Sequence, residues 1–236
     1  MRVNLSRVKM RRMPRQKPPP KPYHHGNLRE SLLAAADDLL STQGLQGLTL
    51  REVARKAGVS HAAPYHHFAS LDELLAAVAG LSFARLGADL AVAAGNPDPR
   101  AALLDVNDAY VRHARRYPAQ FRLMFGPMLA RKAEFPEFAQ AARLAFERVL
   151  EVGERFVPGD GARVALAGWS LAHGFSHLAI DGALDDLPVN LPIDVALARS
   201  LADLLLPSRP TSEPVSATTV TASLGRNRQN RGKSLS

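Results

Sequence analysis

Apolar residues recur at intervals of three and four positions along most of residues 23–206, which is the period of an amphipathic α-helix. Ala and Leu fill these positions, whereas Val and Ile are scattered and form no alternating runs. The pattern therefore predicts an all-α fold. The predicted helices cover about 28–43, 50–57, 60–68, 71–94, 99–116, 136–157, 161–182 and 192–206, with a broken helical stretch across 118–133.

Capping sequences mark where three of these helices begin. TLRE from Thr49 and SLDE from Ser70 each place a hydroxyl three residues before a glutamate, and NLRE from Asn27 is the asparagine variant. In a capping box the first side chain accepts a hydrogen bond from a backbone N–H that the helix leaves unpaired. We therefore expect helices to begin directly after Asn27, Thr49 and Ser70.

The predicted helices 50–57 and 60–68 are short and are separated by Gly58. Ala54 allows a second helix to approach closely, and Gly58 can adopt the left-handed backbone that turns a chain sharply. This spacing is typical of a helix-turn-helix unit, although a short connector within a helical bundle has the same pattern. Pro64 removes one backbone hydrogen bond at the start of the second helix, where the cost is smaller than in a helix interior.

The second short helix has polar residues where a core helix would have apolar ones. Phe68 and either Ala62 or Ala63 are predicted to be buried. The exposed face is predicted to carry the imidazole and phenol groups of His61, Tyr65, His66 and His67. Such groups hydrogen-bond phosphates and base edges, and a single helix is narrow enough to enter the major groove of DNA. This face therefore favours DNA binding.

The stretch from Tyr23 to Leu90 resembles the N-terminal DNA-binding domain of TetR/AcrR-type transcriptional regulators. That family carries T-x-x-x-V-A-x-x-A-G-V-S, then x-Y-x-H-F, then [SK]-x-E-x-L, and this chain has TLREVARKAGVS, PYHHF and SLDELL. The resemblance implies an N-terminal three-helix helix-turn-helix domain at 23–70. A larger helical ligand-binding and dimerisation domain is expected at 71–206, and double-stranded DNA is the expected partner.

The resemblance also implies which residues bind DNA. Thr49 and Ser60 are expected at helix starts near phosphates. Residues 61–63 form the groove-facing start of the recognition helix, and Tyr65 and His67 resemble a pair that contacts phosphates. The complete expected set is Thr49, Ser60, His61, Ala62, Ala63, Tyr65, His66 and His67.

The formal net charge of +8 lies at the two ends of the chain. Residues 1–22 carry eight Lys or Arg and no acidic residue, and residues 207–236 carry five against one Glu, which leaves 17 basic and 21 acidic residues in 23–206. The composition of both ends predicts disorder. A basic arm favours a polyanionic partner, with DNA or RNA ahead of a membrane surface, but a solvated tail without function has the same composition.

Several classes of function are disfavoured by residues that the sequence lacks. The chain has no Cys, which excludes disulfides, thiolate catalysis and Cys-ligated zinc. It contains no nucleophile elbow, phosphate-binding loop or HExxH motif, so we do not expect an enzyme. No apolar run approaches the ~18 residues of a membrane span, and no secretion signal is recognisable, so we expect a cytoplasmic protein without a membrane partner.

The segment GWSLAHGFSHLAIDGAL, residues 168–184, places Trp169, His173 and His177 at four-residue steps on one helix face. Gly174 beside them allows another helix to approach closely. This segment resembles the Trp…His-Gly signature of the WHG subclass of TetR-type C-terminal domains. YHHGNLRESLL and VSHAAPYHHF, nearer the N-terminus, resemble the same subclass.

This helix face has three interpretations. It can wall a pocket for an unidentified small-molecule effector, because aromatic and Met side chains with a few polar groups suit one. The candidate pocket residues are Phe121, Met124, Phe125, Met128, Trp169 and His173. His173 and His177 can instead form half of a metal site, completed by His113 or Asp181. The third interpretation is an ordinary core at helical spacing, and no cofactor is expected.

The last two predicted helices, 161–182 and 192–206, carry few charges and need burial. The resemblance implies that they form a four-helix bundle with a second subunit, which sets two recognition helices ~34 Å apart on a palindromic operator. We interpret the chain as a dimeric, ligand-responsive repressor in which an effector shifts helix 71–94. The alternatives are a metal-responsive regulator and a non-specific nucleic-acid binder acting through its basic tails.

The basic arm generates a test. Four basic and four acidic residues cancel within 23–70, and Leu71 stands where many family members carry a phosphate-contacting Lys. Deleting residues 2–21 should therefore flatten the salt dependence of DNA binding, because each phosphate neutralised contributes about −0.9 to the slope of log K against log salt. Equal slopes for the full-length and truncated proteins would contradict this role.

Overall fold

A computed structural model describes residues 28–185, 187–188 and 190–206, apart from the side chains of residues 128, 129 and 132. These residues form nine α-helices, two 3₁₀ helices and no β-strand, which confirms the predicted all-α fold. The α-helices are α1 Leu28–Gln43, α2 Leu50–Ala57, α3 Leu71–Ala94, α4 Pro99–Arg116, α5 Pro118–Phe125, α6 Pro127–Ala130, α7 Pro136–Phe156, α8 Gly161–Ile180 and α9 Val195–Leu205. The 3₁₀ helices are Ala63–His66 and Lys132–Glu134. The predicted arm 1–22, the predicted tail 207–236 and the Asn27 cap lie outside the described residues.

Side-chain caps fix the starts of α2 and α3 as predicted. The Thr49 hydroxyl accepts a hydrogen bond from the Glu52 N–H at 3.1 Å, and the Ser70 hydroxyl accepts one from the Glu73 N–H at 3.1 Å. α2 ends at Gly58, whose φ of 73° is the left-handed conformation that only glycine adopts at little cost. The sharp turn after α2 therefore follows directly from local sequence.

The segment after this turn is a short 3₁₀ helix, not the α-helix predicted over 60–68. Its backbone bonds span three residues, from the Ala63 N–H to the Ser60 carbonyl at 3.0 Å and from the Tyr65 N–H to the Ala62 carbonyl at 3.2 Å. Pro64 has no N–H to give to Ser60, so the four-residue bonding of an α-helix cannot start there. Pro64 is buried and Ala62 is exposed, which corrects the prediction that Ala62 or Ala63 would be the buried partner of Phe68.

The central helix of the larger domain is α3, which packs along α7 and also contacts α1, α4 and α5. Its length and a mean hydropathy of 1.5 would suit a membrane span, which corrects the expectation that no segment is apolar enough for one. Nine of its residues are buried against other helices of this chain, including Leu74, Phe83 and Leu90. This burial is typical of the core helix of a globular protein.

Two glycines set how closely α7 and α8 approach. A Cβ atom built on Gly153 would lie 2.5 Å from the Gly161 carbonyl oxygen, and one built on Gly161 would lie 2.5 Å from the Glu154 nitrogen. Both distances are far inside van der Waals contact, so the backbones can meet only where side chains are absent. Gly174 has no atom of another described element within 4 Å of such a Cβ, so the predicted close approach there does not occur within the chain.

The crossing of α7 and α8 predicts an unequal response to two Gly→Ala substitutions. Gly153→Ala should lower the free energy of unfolding by about 1–3 kcal/mol, because the added methyl group meets backbone that cannot yield. Gly87→Ala is the matched control, since its Cβ would lie 3.5 Å from the Ala145 Cα in ordinary contact. We expect that variant to be unchanged or up to about 1 kcal/mol more stable, because alanine favours a helix interior. Equal chemical denaturation midpoints for the two variants would contradict the close backbone contact between α7 and α8.

Candidate functional site

The 3₁₀ helix Ala63–His66 has one side packed against the core and a polar side that faces solvent. Pro64 is buried and Phe68 is only 1% exposed, while the Arg29 guanidinium lies 5.5 Å from the centre of the Phe68 ring. Tyr65 lies between these anchors and is 63% exposed. A single exposed aromatic side chain is common on a protein surface, but this one stands beside the exposed imidazoles of His66 and His67.

The structure leaves nearly all of the predicted DNA-binding residues open to solvent. Thr49, Ser60, His61, Ala62, Tyr65, His66 and His67 are exposed, and Ala63 is half-buried. The Thr49 hydroxyl is engaged as the cap of α2, so it leaves the first turn of that helix well ordered. Segment 60–67 is thus mostly exposed, apart from buried Pro64 and half-buried Ala63, and its exposed side carries imidazole and phenol groups.

Most basic side chains near this segment are already paired. The Arg55 guanidinium lies 2.6 Å from Glu52, the Lys56 ammonium 2.5 Å from Asp38, and the Arg29 guanidinium 3.2 Å from the Glu137 carboxylate of α7. These pairs are exposed and individually weak. They nevertheless leave this surface close to neutral, so its attraction for DNA at long range depends on charge from elsewhere in the chain.

A buried amide joins this unit to the rest of the molecule. Gln120 on α5 is 2% exposed, and its Nε2 donates to the Asp37 Oδ1 at 2.9 Å and to the Ser41 hydroxyl at 2.6 Å, both on α1. The Asp37 carboxylate is also 2.7 Å from the Arg85 guanidinium of α3. A buried amide is costly to leave unpaired, so α5 and α1 are held in one relative position.

α5 ends at an open cavity of about 500 Å³ lined by α3, α4, α5, α7 and α8. Its walls are almost entirely apolar and include Phe125, Tyr110 and Trp169, with Arg143 contributing a charge. A cavity of this size with few polar groups is typical of a site for a small organic molecule. His173 packs against Phe125, and the centres of the two rings are 4.5 Å apart.

The six predicted pocket residues do not all line this cavity. Phe125 and Trp169 line the cavity, whereas Phe121 and Met124 are fully buried in the core behind it. His173 stands behind the wall. The side chain of Met128 lies outside the described part of the structure.

A hydrogen-bond chain runs along the cavity wall. The Trp169 Nε1–H donates to the Tyr110 hydroxyl at 3.2 Å, and that hydroxyl lies 2.9 Å from the His173 Nδ1. The indole can only donate, so the hydroxyl accepts from it, whereas the direction of the bond between the hydroxyl and Nδ1 depends on the His173 tautomer. Burial, together with the nearby His177, lowers the pKa of His173 to about 4. Burial also raises the pKa of the Tyr110 hydroxyl, which stays protonated.

The histidine pair does not assemble a metal site among the described residues. The ring centres of His173 and His177 are 4.6 Å apart, but no group of three possible ligands is present in that part of the chain. His113 is elsewhere, with its Nδ1 3.0 Å from the Asp89 carboxylate. Asp181 binds the Arg122 guanidinium at 2.8 Å. Asp181 also lies 3.8 Å from the His177 Nδ1, but its carboxylate is shared with Arg122, and His113 is engaged with another partner.

Two polar residues that the structure places at the α1–α5 contact and on the cavity wall, Gln120 and Tyr110, were not identified from the sequence. Each is a polar residue at a helix position that the apolar period assigns to the core. A polar residue at such a position is the available sequence signal, because a buried polar group needs a specific partner. The partner itself comes from another helix and is not predictable from spacing.

Comparison with known proteins gives matches across both parts of the chain. A family model described as "Bacterial regulatory proteins, tetR family" matches residues 32–78, and one described as "Tetracyclin repressor-like, C-terminal domain" matches residues 103–204. An uncharacterized HTH-type transcriptional regulator of Mycobacterium tuberculosis is 30% identical over 166 residues, which cover 67% of this chain and 73% of that protein.

Solved structures match over about three quarters of the chain. A protein of unknown function from Rhodococcus sp. RHA1 matches with a TM-score of 0.66 and 33% identity, over 78% of this chain and 96% of its own. A bacterial regulatory protein in the tetR family from Rhodococcus RHA1 matches with a TM-score of 0.54 and 24% identity, over 75% of this chain and 94% of its own. The second match concerns the fold alone.

The exposed Tyr65 ring predicts a loss of DNA binding without a loss of stability. Tyr65→Phe removes one hydroxyl that can donate to a phosphate, so affinity for a duplex bound by the parent protein should fall about tenfold, and Tyr65→Ala should lower it further. Gln46→Ala, at an exposed loop position, is the control and should bind normally. Unchanged affinity for Tyr65→Ala and His67→Ala would remove the 3₁₀ segment from the DNA interface.

Neutral His173 predicts a pH dependence of stability. Its pKa of about 4 in the folded chain is below the ordinary value of 6.5, so the unfolded chain binds the proton more readily and stability falls as pH drops from 6.5 towards 4. In His173→Asn the side-chain amide can still hydrogen-bond the Tyr110 hydroxyl, as donor or acceptor, but cannot titrate. Denaturation at pH 7 and pH 4.5 should therefore show a smaller loss of stability in His173→Asn than in the parent. Equal losses would contradict the neutral assignment.

Proposed function

This chain belongs to the TetR family of bacterial transcriptional regulators and has a WHG-type C-terminal domain, and we propose that it is a ligand-responsive repressor that binds a palindromic operator as a homodimer. The family members it matches are regulators and not enzymes. The observation that carries the proposal is the exposed polar side of segment 60–67 in a helix-turn-helix unit, where Pro64 and Phe68 are buried and fix the segment to the core. Its place of action is the cytoplasm, where DNA is accessible.

Pairing of two subunits is supported by an apolar surface on α8 and α9. Leu166 and Leu178 of α8 are 54% and 47% exposed, and Leu204 of α9 is 77% exposed. Gly174 lies on α8 with open space around it, so another helix can approach there closely. Exposed leucines on two adjacent helices favour burial against a second copy, because a two-fold axis brings the same surface from both subunits together.

The response to an effector is proposed to pass through α5. A molecule in the 500 Å³ cavity contacts Phe125 at the end of α5, and Gln120 near its start holds α1 of the DNA-binding unit. Displacement of Phe125 therefore moves α5 and pulls on α1, which changes the separation of the two DNA-binding units in a dimer. To shift a population from 1:99 to 99:1, an effector must bind the released state about 5.5 kcal/mol more tightly.

Repression is the proposed direction of this coupling. In the described arrangement Gln120 holds α1, and most of segment 60–67 is exposed and available to bind DNA. An effector that disturbs this arrangement releases the operator. Release on effector binding is the behaviour of an inducible repressor.

One experiment tests both the dimer and the symmetry of the operator. Duplexes selected from a random pool at stated salt should contain two inverted half-sites about one helical turn apart. Leu178→Arg should convert dimers to monomers in sedimentation and weaken binding to the selected duplex. Leu81→Arg, at a leucine of α3 that is 40% exposed, is the matched control and should leave both unchanged. A selected sequence without symmetry, or a parent protein that sediments as a monomer on DNA, would contradict the proposal.

A further inference from the structure

An open groove of about 610 Å³ lies between the DNA-binding unit and the start of α7. Arg29 of α1, His67 and Ser70 line one side of it, and Glu134 and Glu137 line the other. Glu137 belongs to the first turn of α7. The groove therefore brings a carboxylate of the larger domain to the same open space as His67, a residue of the proposed DNA interface.

Arg29 is the cation in the described lining of this groove. Its guanidinium lies 3.2 Å from the Glu137 carboxylate and 5.5 Å from the centre of the Phe68 ring. Because Phe68 directly follows His67, the contact with its ring keeps the guanidinium beside segment 60–67. The Arg29 side chain is 46% exposed and that of Glu137 is 84% exposed, so the ion pair can open directly into solvent.

The other carboxylates of the groove have partners of their own. Glu134 lies 2.7 Å from the Arg131 guanidinium, three residues before it. The Glu73 carboxylate accepts a hydrogen bond from the Ala69 N–H at 2.6 Å, next to the cap that begins α3. Glu137 is therefore the carboxylate of the described lining whose ion-pair partner belongs to the DNA-binding unit.

Packing of α7 on α3 holds Glu137 at the groove. Its neighbour Phe138 is 1% exposed, with its ring centre 5.6 Å from that of Phe83 on α3. A Cβ atom built on Gly80 of α3 would lie 3.6 Å from the Phe138 Cα, so the two backbones are close at this point. The carboxylate is thus kept near Arg29 by the fold, and any competition for the guanidinium is intramolecular.

We propose that Arg29 contacts a phosphate of bound DNA and that the Glu137 carboxylate competes with that phosphate for the guanidinium. In the proposed function, on which this proposal rests, DNA lies against segment 60–67 and so beside Arg29. Carboxylate and phosphate both accept paired hydrogen bonds from a guanidinium. Two anions at one positive group repel each other, so the ion pair opens when DNA binds. Glu137 thereby lowers the affinity of the protein for DNA.

The operator affinity of full-length variants tests the competition. Glu137→Gln removes the competing charge and should raise affinity about two- to fivefold, the range expected from the strength of an exposed ion pair. Glu151→Gln is the matched control, because it removes the same charge from an exposed pair with Arg148, about 21 Å further along α7. That distance exceeds the screening length at physiological salt, so the control should bind like the parent. No gain in Glu137→Gln, or an equal gain in both variants, would overturn the proposal.

The salt dependence of binding tests the phosphate contact itself. Arg29→Met should lower affinity about tenfold and flatten the slope of log K against log salt by about 0.9, because one phosphate is no longer neutralised. A purely structural role of Arg29 would lower affinity without changing the slope. In the Arg29→Met background, Glu137→Gln should have no effect on affinity. An unchanged slope, or the full gain from Glu137→Gln without Arg29, would overturn the proposal.

Tyr65→Ala, measured in parallel, separates a failure of this proposal from a failure of the proposed function. Weaker DNA binding by Tyr65→Ala together with parent-like binding by Arg29→Met would mean that the helix-turn-helix unit binds DNA without Arg29, which overturns this proposal alone. A parent protein that binds no duplex would overturn both.

Discussion

The buried amide of Gln120 is the interaction on which the two halves of this protein depend. It donates to Asp37 and Ser41 of α1 from the first turn of α5, a helix that ends with Phe125 on the wall of the 500 Å³ cavity. Because the amide is buried, α5 cannot separate from α1 without leaving polar groups unpaired. One two-turn helix therefore connects the space that can receive an effector with the unit that binds DNA.

The shape of the DNA-binding surface depends on both local sequence and packing against the core. Gly58 turns the chain, Pro64 shortens the next helix to a 3₁₀ turn, and Phe68 anchors its end in the core. Tyr65 and His67 are left outside because their neighbours are held inside. Segment 60–67 positions the side chains that can contact DNA. Because this surface is nearly neutral, its long-range attraction for DNA depends on charge from other parts of the chain.

Helix positions were largely predictable because they depend on local chemistry, as the caps at Thr49 and Ser70 confirm. The 3₁₀ segment was mispredicted because the effect of Pro64 on its bonding was underestimated. The pocket was predicted only in part, since helical spacing cannot tell Phe125 on a cavity wall from Phe121 in the core. Polar groups such as Gln120 could not be assigned, because their partners lie on helices distant in sequence.

A double-mutant cycle on operator affinity tests the connection through α5 most directly. Ala142→Trp fills part of the 500 Å³ cavity in place of an effector and should weaken operator binding severalfold in the parent. Gln120→Leu keeps the size of the side chain but removes its bonds to α1, so in that background the same substitution should have little effect. A nonadditive cycle is the predicted result. The same loss of affinity from Ala142→Trp in both backgrounds would contradict coupling through Gln120.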